Sequence, residues 1–369
     1  MEPRTLRPNR WTPPHCPNPN CRYYSPLTPG WRYKKSGFFL RQHAPHCIQR
    51  YHCKSCHRSF STQTFSSTYW QKLPGLDHRI FMKAVGGMAN RQIARDVGVA
   101  PKTIDDRLSR LGRHCMLFHW KQMRDAPPVR SLVVDGFESF ELSQYHPFHH
   151  HVAVEKGTDF FVYFTDSELR RKGRMTPAQK NRRCQLERQF DRPDPQAVRK
   201  DMTELLRVSL AGQTRATVYS DDHKSYPPAL RRVRCEVTHD VTSSRARRTC
   251  SNPLWEVNLL DLLIRHSGAN HKRETIAWSK RRQASAERLA ILAVWRNYMK
   301  GRREKVRGSP TPAMARGMTK RVYYVDDILA GRIFRDHVAL PPRWSQYYER
   351  AVETRALGPH RRHALKYAF

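Results

Sequence analysis

Val129-Arg-Ser-Leu-Val-Val-Asp135-Gly-Phe-Glu-Ser-Phe-Glu-Leu142 is where the chain changes character. Before it, Pro127-Pro128 closes a region of helical spacings. After it, short apolar runs separated by turns take over. Leu132-Val133-Val134 is apolar without a break, as a buried strand is, and it leads straight into the carboxylate of Asp135. His151-Val-Ala-Val154 and Phe160-Phe-Val-Tyr-Phe164 are two further runs with a Gly157-Thr158 turn between them, which predicts a β-meander. Residues 168–200 are charged and contain Pro, and read as an exposed insertion. Residues 201–210 are amphipathic and helical. Ala216-Thr-Val-Tyr219 reads as a fourth strand, ending at Ser220-Asp221-Asp222. Ser251-Asn252-Pro253 is a helix start, a capping residue followed by Pro in the first turn, and that helix runs through residues 254–266. A second long helix spans about 283–299. Three antiparallel strands, a helix, a further strand and flanking helices make a layered α/β domain over residues 127–300.

Upstream, over residues 75–126, Ile80, Phe81, Val85, Ile93, Ala94, Val97, Ile104, Leu108 and Leu111 recur at helical spacing. Asn90-Arg-Gln-Ile-Ala-Arg-Asp-Val-Gly98-Val-Ala-Pro101-Lys-Thr-Ile-Asp-Asp-Arg-Leu108 reads as helix, turn, helix. Gly98 suits a left-handed turn position and Pro101 the start of the second helix. This spacing predicts a helix-turn-helix, whose second helix enters the major groove of DNA. Lys102, Thr103, Asp106, Arg107 and Arg110 are its expected exposed side chains. Further upstream, residues 1–74 carry Cys16-Pro-Asn-Pro-Asn-Cys21 and Cys53-Lys-Ser-Cys56. Two cysteine pairs on tight turns, separated by a β-rich stretch, predict a zinc ribbon in which four thiolates surround one Zn²⁺. Cys47 reads as a free thiol, with His43 and His46 beside it as alternative donors.

The chain has 369 residues, 68 Lys+Arg against 32 Asp+Glu, and a formal charge of +36. Such an excess resists compaction and draws a protein to polyanions, nucleic acid before any membrane surface. No run of about 18 apolar residues spans a bilayer, and the N-terminus lacks the apolar core of a signal peptide. The expectation is an intracellular protein with no membrane partner. The charge is uneven: residues 1–130 hold 23 basic and 6 acidic side chains, whereas residues 131–300 hold 30 and 20. The acids are kept where carboxylate chemistry is expected. Nine cysteines, an odd number with five in the first 56 residues, argue for metal rather than a disulfide framework. Residues 301–369 read as a basic appendage, with Arg321-Val-Tyr-Tyr-Val325 strand-like and residues 345–357 helical.

Asp135 and Asp221 each end a buried strand. Two carboxylates at neighbouring strand ends repel unless a cation lies between them, and Mg²⁺ or Mn²⁺ is the natural occupant. Paired metals activate an attacking oxygen and stabilise the leaving oxygen of a phosphodiester. A third ligand has to come from the helix after Pro253, where Glu256, Asn258 and Asp261 are available. At about 100° per residue, Asn258, Asp261 and Arg265 share one face and Glu256 lies roughly opposite Asn258, so the Asn258 face is favoured.

The order of these features resembles bacterial insertion-sequence transposases. It runs zinc ribbon, helix-turn-helix, Asp135, Ser220-Asp221 with Tyr226, then a helix with Arg265 followed by Lys272-Arg273-Glu274-Thr-Ile-Ala-Trp-Ser-Lys280. The resemblance covers roughly residues 10–300. It implies an RNase H-like catalytic domain with an Asp-Asp-Glu or Asp-Asp-Asn triad. Asp135 and Asp221 would be its first two members, and Asn258 falls at the third. Glu256 and Asp261 remain the alternatives for that position. It further implies divalent-metal-dependent cleavage and strand transfer at element ends, Lys272 and Arg273 on phosphate, a homodimer or larger synaptic assembly on double-stranded DNA, and a cytoplasmic, nucleoid-associated bacterial setting. The second reading is a catalytically inactive transposase-derived DNA-binding protein, motivated by the Asn at position 258.

Overall fold

The computed structural model describes residues 11–272 and 275–359. In chain order its elements are β1 (Tyr33–Leu40), β2 (Cys47–Cys53), β3 (Ser59–Ser61), α1 (Leu76–Val85), α2 (Asn90–Val97), α3 (Pro101–Arg124), β4 (Ser131–Phe140), β5 (Pro147–Glu155), β6 (Phe160–Glu168), α4 (Pro177–Phe190), α5 (Ala197–Ser209), β7 (Arg215–Asp221), α6 (Tyr226–Leu230), β8 (Glu236–Thr242), α7 (Trp255–Ser267), α8 (Arg282–Val294), α9 (Pro312–Ala315), α10 (Val325–Ile328) and α11 (Pro342–Tyr348). The chain divides into two compact units. Of the described residues, one comprises 11–80 and 325–339; the other comprises 81–272, 275–324 and 340–359. The residues after 300 are thus shared between the two.

In the first unit, β1, β2 and β3 form an antiparallel three-stranded sheet. So small a sheet has little apolar surface to bury, and its core is largely sulfur and aromatic rings: Cys16, Cys21, Tyr51, Cys53, Phe60 and Phe65, with Phe334 added from the C-terminal segment.

The second unit is mixed α/β around a five-stranded mixed sheet in the order β6-β5-β4-β7-β8. The β4–β5–β6 meander is antiparallel, as the turn at Gly157 requires, and β4–β7 and β7–β8 are parallel. Parallel pairing needs crossovers, and α5 and α6 supply them. β8 was not foreseen from the sequence. Its residues, Glu-Val-Thr-His-Asp-Val-Thr, are mostly polar and alternate between exposed and half-buried, so only hydrogen bonding to β7 identifies it.

The other edge, β6, is buried along nearly its whole length. An open edge strand invites pairing with other chains, and here side chains cover it. Asn297 accepts from the Phe161 N–H and donates to the Phe161 carbonyl, both at 2.8 Å. The His119 ring nitrogen lies 3.0 Å from the Val162 carbonyl, and the Trp344 indole donates to that of Phe164 at 3.0 Å. Asn297 sits in a π-helical turn, Trp295–Met299, that prolongs α8. Trp344 sits in α11. This is shorter than the helix expected over 345–357, because Arg350 takes a left-handed φ of 57° and the chain then runs on without helix. The strand expected at 321–325 is also absent; those residues lead into α10.

Asp166 of β6 anchors the C-terminal segment. It is fully buried between Arg282 of α8 (Nε to Oδ2, 2.9 Å) and Arg343 of α11 (Nε to Oδ1, 2.8 Å), with the Tyr347 hydroxyl also donating to it. Burial alone would raise its pKa. The two guanidinium groups outweigh burial and hold it well below the usual carboxylate range.

The insertion after β6 forms α4, which has no buried residue. Thr176-Pro-Ala-Gln179 starts it as a capping box: the Gln179 N–H donates to Thr176 Oγ1 at 3.3 Å, and the Thr176 N–H donates to the Gln179 side chain at 3.1 Å.

Candidate active site and thiol cluster

Register brings the two aspartates together. Leu132 pairs with Val218 and Val133 with Tyr219 in the parallel β4–β7 ladder. Side chains alternate along a strand, so Asp135 and Asp221, each two residues past Val133 and Tyr219, emerge on one face of the sheet. The Asp135 carboxylate accepts from the Gly136 N–H at 2.7 Å, and that of Asp221 accepts from the His223 N–H at 3.0 Å. Gly136 is required by close approach. A Cβ there would lie 2.5 Å from His149 Cε1 and 2.9 Å from the His150 carbonyl oxygen. The His149 ring therefore packs directly against the backbone that carries Asp135.

Helix α7 packs on β4 and β5. Its residues separate as helical geometry requires. Glu256 turns to the β5–β6 hairpin, accepting from the Gly157 N–H at 3.1 Å and pairing with Lys156 Nζ at 3.5 Å. Asp261 belongs to the other group. Burial first, and then the negative charge of Asp135, push its carboxyl up to about 8, against the pull of Arg265 and Arg248. Its Oδ1 is buried with no hydrogen-bond partner. Asp135 is itself pushed up to about 6 by burial and by Asp221, against the Gly136 N–H and Arg248. Tyr226, almost fully buried on α6, is held well above its ordinary value by burial and by Asp135, Asp221 and Asp261 together. Three carboxylates from β4, β7 and α7 thus share one electrostatic site with the Tyr226 phenol. Asn258 lies one helical turn before Asp261 on the same face. Arg265, one turn after it, sets its guanidinium 5.6 Å from the centre of the Phe137 ring and donates to the His271 carbonyl at 3.2 Å. Sequence reasoning missed Arg248, His149 and His223, which are distant in the chain and belong to no recognisable spacing.

No family model and no curated protein matches this chain. Similar solved structures include these three. One is the simian T-cell lymphotropic virus intasome in complex with the PP2A regulatory subunit B56 gamma, with 10% identity and a TM-score of 0.25 over 67% of this chain and 74% of that one. The others are the Mos1 mariner transposase catalytic domain (11%, TM-score 0.20, 50% and 86%) and the Mos1 catalytic domain with Raltegravir and Mg (11%, TM-score 0.20, 50% and 88%). At these TM-scores the likeness carries no weight of its own.

Helices α2 and α3 join through Gly98 at φ 72°, with Pro101 in the first turn of α3. Lys102 is exposed and pairs with Asp106, and Thr103 is half-buried. Arg107 departs from expectation: it is 7% exposed. It lies on the same face as Ile104, Leu108 and Leu111, which are buried, so helical phase takes it inward. Arg110 is half-buried as well. Lys272 lines a cavity beside β4, and Arg273 lies outside the described residues. Among the described residues, no helix is long and apolar enough to cross a membrane.

Cys16, Cys21, Cys53 and Cys56 form a cluster whose sulfurs all lie within 4.8 Å of one another. Among the described residues it is the only such set of three or more His, Cys, Asp or Glu side chains, so the three carboxylates are more widely spaced. Sγ of Cys16 and Cys56 are 3.6 Å apart, and those of Cys21 and Cys53 are 4.0 Å apart. Four sulfurs about 2.3 Å from a tetrahedral Zn²⁺ would be about 3.8 Å apart, so the cluster is compatible with structural zinc. Burial raises the Cys53 thiol, but N–H donors from Cys56, Trp31 and Ser55 outweigh it and bring it down to about 7. Cys47 is not in the cluster.

Proposed function

We propose that this chain is a DNA transposase: an RNase H-like catalytic domain that cuts and joins DNA, with a zinc ribbon and a helix-turn-helix that hold it. One observation carries the reading. The parallel β4–β7 register sets Asp135 and Asp221 on one face of the β6-β5-β4-β7-β8 mixed sheet, where α7 adds Asp261 to the same electrostatic site. The raised carboxylates and the unpartnered Asp261 Oδ1 suit a divalent cation, since an added positive charge would relieve both. Asp135, Asp221 and Asp261 would hold Mg²⁺ or Mn²⁺, with the Asn258 amide at their flank. When bound, such ions activate the attacking oxygen and stabilise the leaving oxygen of the phosphodiester.

The protein's own part is to hold the carboxylates. Gly136 and His149 fix the backbone at Asp135, the His223 N–H orients Asp221, and the buried Tyr226 phenol lies in the field of all three. Arg248 and Arg265 offset the negative charge. The four thiols would bind Zn²⁺ and so stabilise the first unit, whose apolar core is small. With a net charge of +36, the partner is double-stranded DNA, and joining two ends calls for at least a dimer.

The test is Mg²⁺-dependent cleavage of a plasmid carrying the DNA that flanks this chain's gene. Asp135→Ala and Asp221→Ala should abolish cleavage and leave DNA binding intact. DNA binding without cleavage by the parent chain in Mg²⁺ or Mn²⁺ would favour the second reading, an inactive DNA-binding derivative. Equal cleavage by parent and both variants would refute the site.

A further inference from the structure

The first unit carries an exposed apolar edge. β1 is an outer strand of the three-stranded sheet, and every residue from Lys34 to Leu40 is exposed. Phe38, Phe39 and Leu40 follow one another there at 60%, 41% and 71% exposure. Single exposed apolar side chains are ordinary, but a run of three is not. Gly37 precedes them at φ 69°, where the β1–β2 register shifts between Lys35 and Phe38. From Phe38 on the pairing is regular, with Phe38 opposite Gln49, Phe39 opposite Ile48 and Leu40 opposite Cys47. Side chains alternate along a strand, so Phe38 and Leu40 share a face and Phe39 turns to the other, with the buried Ile48.

The surroundings of this edge are basic. Residues 11–76 contain nine Lys and Arg and no Asp or Glu. Lys34 and Lys35 of β1 and Arg50 of β2 are exposed. Arg41 is engaged otherwise: its guanidinium donates to the Pro45 and Ala44 carbonyls and to the Gln63 side chain, and so holds the β1–β2 turn. A second copy of the chain would set these cations against its own. Duplex DNA answers both features, because its phosphates take the cations and its base steps open to apolar wedges. Spacing agrees. Two residues along a strand advance about 6.8 Å, twice the roughly 3.4 Å between base pairs, so Phe38 and Leu40 can enter alternate steps. The major groove is read by hydrogen bonds that Phe and Leu cannot make, whereas wedges of these residue types act from the minor groove.

We infer that β1 is a minor-groove wedge: Phe38 and Leu40 enter base steps of double-stranded DNA, and Lys34 and Lys35 hold the phosphates beside them. The inference rests on the DNA-binding part of the function proposed above and is independent of the carboxylates. Wedges of this kind kink a duplex by about 20–90° toward the major groove. Pyrimidine–purine steps such as TA unstack most easily, so the wedge favours duplexes that contain them.

The experiment uses the full chain with Asp135→Asn, so that the DNA stays uncut. The probe is an eighteen-base-pair duplex with two central TA steps and a donor and an acceptor dye at its ends. Energy transfer reads bending, and anisotropy reads binding. Binding should raise energy transfer. Phe38→Ala together with Leu40→Ala should abolish that rise at saturating protein and leave the melting temperature unchanged, since both side chains already lie in solvent. Lys34→Ala together with Lys35→Ala should lower the salt slope of binding by about two. No rise on binding, or an undiminished rise with the Phe38/Leu40 double variant, would overturn the inference. Two further results would reassign the edge. A DNA-free dimer in sedimentation velocity that the double variant abolishes would give it to a second copy. Binding to phosphatidylglycerol–phosphatidylcholine vesicles that the double variant abolishes, with DNA bending intact, would give it to a lipid surface. The two readings fail separately. If the Asp135→Asn chain bends DNA but the unmodified chain never cleaves, the catalytic reading fails and the wedge stands. If the unmodified chain cleaves, and the Phe38/Leu40 double variant bends and cleaves as well as it does, the wedge alone fails.

Discussion

Replacing Asp261 by Asn should make the metal-free protein more stable while destroying its chemistry. The Asp261 carboxyl is raised from an ordinary 3.8 to about 8 by burial and Asp135. A carboxyl with a raised folded-state pKa stabilises the fold relative to its ionised form only while protonated. Its contribution is fully present below pH 4 and is lost as pH rises through 8. A shift of about four units at 1.36 kcal/mol each sets a ceiling of about 5 kcal/mol at pH 8. Asp135 shares the repulsion and water reaches part of Asp261, so about 2–3 kcal/mol is the working figure. For a unit of this size, each kcal/mol moves the melting temperature by about 2–4 °C. Asp261→Asn should therefore melt about 5–10 °C above the parent at pH 8 in EDTA, and at nearly the same temperature at pH 4.5. Mg²⁺ should raise the parent's melting temperature at pH 8 and close most of the gap. Cleavage by Asp261→Asn should fall about a hundredfold or more, since a lost metal ligand removes several kcal/mol of transition-state stabilisation. Differential scanning fluorimetry across pH, with and without Mg²⁺, reads the stability terms. An Asn variant no more stable than the parent at pH 8 would refute the shared carboxylate site.

Three other outcomes follow from the geometry. Asp166→Asn leaves the half-buried Arg343 without its ion-pair partner and the buried Arg282 with Glu168 alone, and should cost about 3 kcal/mol in urea unfolding at pH 7. Because the Asp166 pKa is lowered in the fold, its stabilisation is present above pH 4 and fades as pH falls further, so parent and variant should converge in acid. Gly136→Ala places a methyl group 2.5 Å from His149 Cε1 and 2.9 Å from a backbone oxygen. It should destabilise the chain by about 1–3 kcal/mol, with His149→Ala recovering part of the loss in a double-mutant cycle. Cys53→Ser should lower bound zinc, measured by elemental analysis, from one equivalent to near zero and make residues 11–80 protease-sensitive, with melting of the second unit unchanged.

Much of this protein was legible in its residues because the signals are local. Cys16, Cys21, Cys53 and Cys56 were readable as one set because tight turns present thiols in pairs, and Gly98 with Pro101 marks a turn between helices by backbone preference alone. The apolar runs ending at Asp135 and Asp221 could be read as buried strands, and they are β4 and β7. Other features had no local signal. β8 is too polar for a buried-strand pattern. The covering of β6 joins His119, Asn297 and Trp344 from three distant segments.

The third position of the candidate site shows the division most clearly. Periodicity put Asn258, Asp261 and Arg265 on one face of α7, because a helix repeats every 3.6 residues whatever surrounds it. Periodicity is silent on depth and electrostatic neighbours. Those depend on how α7 lies against β4 and β5, which turned Glu256 to the Gly157 hairpin and brought Asp261 into the field of Asp135. The sequence by itself determined which residues could act. The tertiary structure decided which carboxylates share a site, because charges interact through space, without regard to their separation along the chain.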